Sequence, residues 1–171
     1  QQLGYSLDIV YSYEEGTLPD KLKDENIAAY VKCGYPIIDM SDYDLKESTP
    51  DMVFYSKPYH GPNGNPTKFY VEEISKHVSH TVFVSYCLDV QGGNELFRYF
   101  YALPMFSRAW RVITYSDHYD QMLRRYSYCD GKNLLQLGHP KFDQLYFAMT
   151  DSNARSSKWV YRANGTPIVL W

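Results

Sequence analysis

The 171-residue chain is 44% hydrophobic and 22% charged, the balance of a soluble globular domain, which excludes disordered, collagen-like and disulfide-stapled chains. At this length folding buries roughly 70% of the surface an unfolded chain exposes, so one core suffices. Seventeen Lys and Arg against 20 Asp and Glu leave a formal charge of −3, too little for a global pull on nucleic acid or anionic lipid.

In chain order, Leu7 to Tyr11 reads as a strand. Asp20 to Cys33 reads as a helix, with Asp20 as N-cap and Gly34 as a left-handed stop. Pro36 to Asp39 is a short strand. The acidic cluster Asp39, Asp42 and Asp44 lacks the Gly and the distal Glu of a calcium loop and reads as caps on a short helix before Pro50. Asp51 to Tyr55 is a strand, followed by a loop from Lys57 to Thr67 with three Pro and two Gly. The spacing of Phe69, Ile74 and Val78 predicts a helix over 69–78. Thr81 to Tyr86 is the clearest strand. Helix follows over 94–102, with Pro104 ending or restarting it. Trp110 to Tyr115 is a strand. Asp117 to Tyr126 is a helix capped by Asp117 or by Ser116 before it. Asn133 to Leu137 is a strand, and Lys141 to Met149 a helix.

Most strands are continuous apolar runs, the mark of strands covered on both faces of a parallel sheet. Alternating with helices, they predict an α/β fold: a doubly wound, mainly parallel, Rossmann-like sheet over residues 1–150. Residues 151–171 read as a polar linker leading into a strand, Ile168 to Trp171. The chain opens at Gln1 without a methionine, close to one strand, and stops at the end of another. It therefore reads as a piece of a longer protein. No 18-residue apolar run occurs and no charged-then-apolar stretch opens the sequence, so neither a membrane span nor a cleaved leader is expected. Cys33, Cys87 and Cys129 are odd in number and lack a C-x-x-C spacing, which suits reduced thiols in a cytoplasmic setting. The 18 Tyr suit core boundaries or the walls of a wet cleft.

In wound parallel sheets the ligand crevice lies beyond the carboxyl ends of the strands. Four loops qualify: 55–67, 85–94, 116–118 and 138–143. Common nucleotide-binding and hydrolase motifs are absent. His77 and His80 form H-x-x-H without an obvious third ligand, so no metal site is expected. Gly92 and Gly93, after the clearest strand, make either a tight turn or a backbone cradle for a phosphate or hydroxyl-rich ligand. Gly138-His139-Pro140-Lys141-Phe142-Asp143 packs a free backbone, a proton carrier and a cation into one strand–helix turn.

Three segments, in order, resemble one family. Pro50-Asp51-Met52-Val53-Phe54-Tyr55-Ser56-Lys57-Pro58-Tyr59 is similar to the PD-apolar-apolar-F-x-x-PY signature of the CDP-glycerol glycerophosphotransferases of teichoic acid synthesis. The turn at Gly138 to Asp143 resembles their G-[YN]-P-[RK]-x-D turn. Lys158 to Trp171 is similar to the lead-in of their second domain. The resemblance implies a GT-B transferase with two Rossmann-like domains, this chain being mostly the acceptor-side one, short of an initial strand–helix unit, and the CDP-glycerol-binding domain following it. It implies transfer of glycerol phosphate from CDP-glycerol to a polymer or lipid-linked acceptor, with no cofactor, no metal and no nucleic acid. It places the protein in the cytoplasm, at most peripheral to the inner face of the plasma membrane. The family's His-bearing motif after the clearest strand is absent: the chain reads Ser85-Tyr86-Cys87-Leu88-Asp89-Val90-Gln91-Gly92-Gly93. Asp89 and His139 are therefore the candidate catalytic groups. Tyr59, Ser85, Tyr86, Gly92, Gly93, His118, Gly138, Lys141 and Asp143 are the candidate substrate contacts. A sugar-nucleotide glycosyltransferase and a non-catalytic binding module of the same fold are the rival readings.

Overall fold

The computed structural model describes residues 4–13, 19–60, 65–88 and 98–150. The chain divides into two compact units, 1–138 and 139–171. In the first unit, β1 (Ile9–Tyr11), α1 (Asp20–Lys32) and β2 (Ile37–Asp39) form a βαβ unit, with Ile9 opposite Ile37 in parallel register. After α2 (Leu45–Ser48) come β3 (Met52–Tyr55), β4 (His80–Val84), β5 (Arg111–Thr114) and β6 (Leu134–Gln136). These four strands form an all-parallel sheet in the order β3-β4-β5-β6. A 3-10 turn (Thr67–Phe69) and α3 (Val71–Ile74) join β3 to β4. The descending connection to β5 includes α4 (Arg98–Tyr101) and α5 (Pro104–Arg108), and α6 (Asp117–Tyr126) joins β5 to β6. The second unit contains α7 (Pro140–Thr150). A parallel sheet flanked by helices is the Rossmann-like α/β class that the apolar strands imply.

The core follows from the register. Val53, Tyr55, Phe83, Val112 and Leu134 share one face of the sheet. They pack with Val71 and Ile74 of α3, Tyr101 of α4, Met105 and Phe106 of α5, and Tyr119, Met122 and Leu123 of α6. The rings of Phe83 and Phe106 meet edge to face, 5.2 Å apart. Each such side chain contributes roughly 2–3 kcal/mol of burial. α3 to α6 all contribute to this one cluster, so a single face of the sheet collects the core. On the other face Met52, Phe54 and Leu135 stay exposed.

Local chemistry fixes the element ends. The Ser116 hydroxyl accepts from the Tyr119 N–H at 3.2 Å, making Ser116 the cap of α6. Asp44 caps α2 through the Lys46 and Glu47 amides, as the sequence suggested. α6 buries Tyr119, Met122 and Leu123, the i, i+3, i+4 stripe of an amphipathic helix. The Asn133 amide donates to the carbonyls of Phe106 at 2.9 Å and Ala109 at 2.8 Å, tying the end of α5 to the start of β6.

Two expectations are corrected. The cap position of α1 is Pro19, and Asp20 is the first helical residue; proline at the entry presets φ without losing a helical hydrogen bond. The helix expected over 69–78 is a 3-10 turn and one short helix, divided at Tyr70, whose backbone is extended. Phe69, Ile74 and Val78 still reach the core across that break. Residues 94–97 of the next expected helix lie outside the described residues. Among the described residues no helix is long and apolar enough to cross a membrane. The three cysteines are free.

Candidate functional site

The loops that leave the carboxyl ends of β3 to β6 are fastened in two neighbouring pairs by backbone and amide hydrogen bonds, β3 with β4 and β5 with β6. After β3, the Asn65 side chain donates to the Lys57 carbonyl at 2.9 Å and to the Tyr59 carbonyl at 3.1 Å, closing the loop on itself. The Tyr59 ring lies 5.9 Å from Phe100, and the His60 ring 4.0 Å from Tyr70. After β4, the Ser85 hydroxyl donates to the Cys87 carbonyl at 2.6 Å and accepts from the Cys87 N–H at 3.3 Å. The Tyr86 N–H donates to the Ser56 carbonyl at 3.1 Å, binding this loop to the one after β3. After β5, the Asp117 carboxylate accepts from the Gln136 amide at 2.9 Å, reaching the end of β6. The Leu137 and Gly138 N–H groups both donate to the Thr114 carbonyl, each at 3.1 Å. Gly138 has φ +86, a left-handed turn that glycine adopts without strain.

Five of the candidate residues, Tyr59, Ser85, Tyr86, His118 and Gly138, therefore stand in neighbouring loops at one end of the sheet. His118 is exposed in the first turn of α6. Asp89, Gly92 and Gly93 lie outside the described residues. His139, Lys141 and Asp143 belong to the second unit. There the His139 Nδ1 accepts from the Lys141 N–H at 3.1 Å. That bond caps the first turn of α7. Asp143 lies in that same first turn, where the helix dipole favours an acid.

Sequence reasoning missed a polar hub at the ends of β1 and β2. Asp39 accepts from the Tyr13 hydroxyl at 2.8 Å and from both the N–H and the hydroxyl of Ser41 at 2.9 Å. Lys23 approaches it at 3.3 Å. Burial pushes the Asp39 carboxyl up, but the hydrogen bonds from Ser41, Tyr13 and Lys23 outweigh it and hold it at about 2. Burial first, and the Asp39 carboxylate second, raise the Tyr13 phenol. Met40 follows the hub: its N–H donates to the Tyr11 carbonyl, and its carbonyl accepts from the Lys68 ammonium. Nothing local in the sequence announces this hub, because Tyr13 and Lys23 arrive from distant turns of the chain.

A second missed feature is Glu72, at the start of α3. One of its carboxylate oxygens is buried with no hydrogen-bond partner among the described residues. Nearby, Tyr55 donates to the Phe69 carbonyl at 3.0 Å. Burial first, and the Glu72 charge second, raise its phenol well above the ordinary range.

His77 and His80 do not converge on a common site. His80 sits edge-on to Trp110 at 4.6 Å, and His77 is exposed. Among the described residues no group of three or more His, Cys, Asp or Glu side chains is arranged to hold a metal ion. No family model, curated protein or solved structure matches the chain.

Proposed function

We propose that this chain is the acceptor-side domain of a GT-B type transferase that moves glycerol phosphate from CDP-glycerol to a hydroxyl of a cell-surface polymer. The observation that supports this is the two tied pairs of loops at the carboxyl ends of β3 to β6. They gather Tyr59, Ser85, Tyr86, His118 and Gly138 around one end of a parallel sheet, where such sheets bind ligands. Hydroxyls and backbone amides suit a polyol acceptor, which both donates and accepts hydrogen bonds. In this reading the acceptor oxygen attacks the phosphorus that carries glycerol. Asp89 or His139 takes its proton, and cytidine monophosphate leaves with the bond it loses. The donor is held mainly by a second domain, and the protein works in the cytoplasm at the inner face of the membrane.

The segment 85–93 carries no histidine, and that favours one alternative, a non-catalytic module of the same fold. Turnover separates the two. The complete protein should bind CDP-glycerol in preference to UDP-sugars and use it. Asp89→Ala or His139→Ala should lower that turnover at least ~tenfold. A complete protein that binds acceptor but turns over neither donor class would favour the binding module. Preference for a UDP-sugar would redirect the reading to a glycosyltransferase.

A further inference from the structure

A cleft of about 570 Å³ opens between the β2–α2 loop and the 3-10 turn with α3, away from the loops that end β4 to β6. Asp42, Tyr43, Lys46, Lys68, Phe69 and His77 are among the residues that line it. The volume is in the range of sites that take small molecules. One wall is aromatic: the Tyr43 and Phe69 rings lie 6.4 Å apart, tilted by 43°. The rest is polar and mixed in sign. Asp44 is engaged at the cap of α2, Glu73 pairs with Lys76 at 2.6 Å, and Lys68 donates to the Met40 carbonyl. Among the described residues the Asp42 carboxylate, the Lys46 ammonium and the His77 ring have no hydrogen-bond or ion-pair partner, so acceptors and donors both remain open toward the cleft.

The mixture selects a ligand class. Three carboxylates on the lining, Asp42, Asp44 and Glu73, repel a phosphate or carboxylate ligand. Lys46 and Lys68 repel an organic cation, and these acids form no metal-holding group. A ligand without net charge that offers hydroxyls to the acids and cations, and a C–H face to the rings, meets every wall. We propose that this cleft binds a neutral saccharide ring. The site is separate from the strand-tip reading and does not depend on it.

The test is an NMR titration of the 171-residue chain with maltose and N-acetylglucosamine, and separately with glycerol 3-phosphate. The proposal predicts saturable shifts at 41–46, 68, 69 and 77 with a neutral saccharide. Tyr43→Ala should weaken binding roughly tenfold, and Asp42→Asn several-fold. Circular dichroism reports whether each variant folds. Asp42 is exposed, so Asp42→Asn carries the test if Tyr43→Ala unfolds. No saturable response to either saccharide overturns the proposal. So does a response to glycerol 3-phosphate alone, which would make the cleft an anion site. Saccharide shifts confined to 56–60 and 85–88 also overturn it, and would strengthen the strand-tip reading instead.

Discussion

The four-stranded sheet and the β1–α1–β2 unit are built from the same element types but held together by different forces. Around β3 to β6, Phe83, Phe106, Val112 and Leu123 are completely buried in one apolar layer. In the β1–α1–β2 unit, α1 buries no residue, and Leu22, Tyr30 and Val31 are exposed along it. What orders that unit is polar: the Asp39 hub and the Lys68 bond to Met40, the one fully buried side chain there among the described residues. A parallel pair of three-residue strands contributes little alone, so the hub decides where β1 and β2 sit. The apolar region should therefore respond to lost volume, and the polar region to pH.

The largest effect should come from the apolar layer. Phe106→Ala removes a completely buried ring that touches Phe83 and Phe100. It should cost about 3–5 kcal/mol in denaturant unfolding. A cost under about 1 kcal/mol would mean that this layer is not the core.

Next is Gly131, in the turn between α6 and β6. Its φ is +67, and an added Cβ would fall 2.6 Å from Arg124 Cγ and 2.8 Å from Leu134 Cδ1. Gly131→Ala should destabilise by about 1–3 kcal/mol, from strain and displaced side chains together.

The polar region supplies the pH signature. Asp39 titrates at about 2 when folded, against an ordinary 3.8. A depressed carboxyl stabilises the fold above its unfolded pKa, and that stabilisation is lost as pH falls from about 4 toward 2. Since solvent reaches the hub, roughly 1–2 kcal/mol is expected, less than the full shift implies. Asp39→Asn should flatten that part of the stability-versus-pH curve. An unchanged slope would remove Asp39 from the account.

The smallest effect is a cap. Ser116→Ala should cost about 1 kcal/mol by leaving the Tyr119 N–H without its acceptor. Hydrogen exchange compares the two regions without mutation: amides of β1 and β2 should exchange before those of β4 and β5. The reverse order would invert the comparison.

How much of this could be read in advance follows from the same contrast. β4 and β5 were legible because continuous apolar runs have one economical fate, a buried parallel strand. The caps at Ser116 and Asp44 were legible because their bonds span two or three residues. The division at Tyr70 was not, because Phe69, Ile74 and Val78 present the same spacing whether the chain between them is one helix or two turns. Asp39 was legible only as a member of an acidic cluster. Its partners lie 26 residues away at Tyr13 and further along α1 at Lys23, and only the fold joins them. The candidate site divides the same way. The strand-end loops holding Tyr59, Ser85, Tyr86, His118 and Gly138 follow from the parallel sheet, whereas the unpartnered Glu72 oxygen needs the packing of α3 to be seen.

The most direct measurement is a titration of the 171-residue chain with short glycerol phosphate oligomers, followed residue by residue by NMR. The account predicts saturable shifts concentrated at 56–60, 85–88, 116–118 and 137–138, with little change in the Asp39 hub. Saturation without shifts at those strand ends, or no response at all, would contradict an acceptor site there.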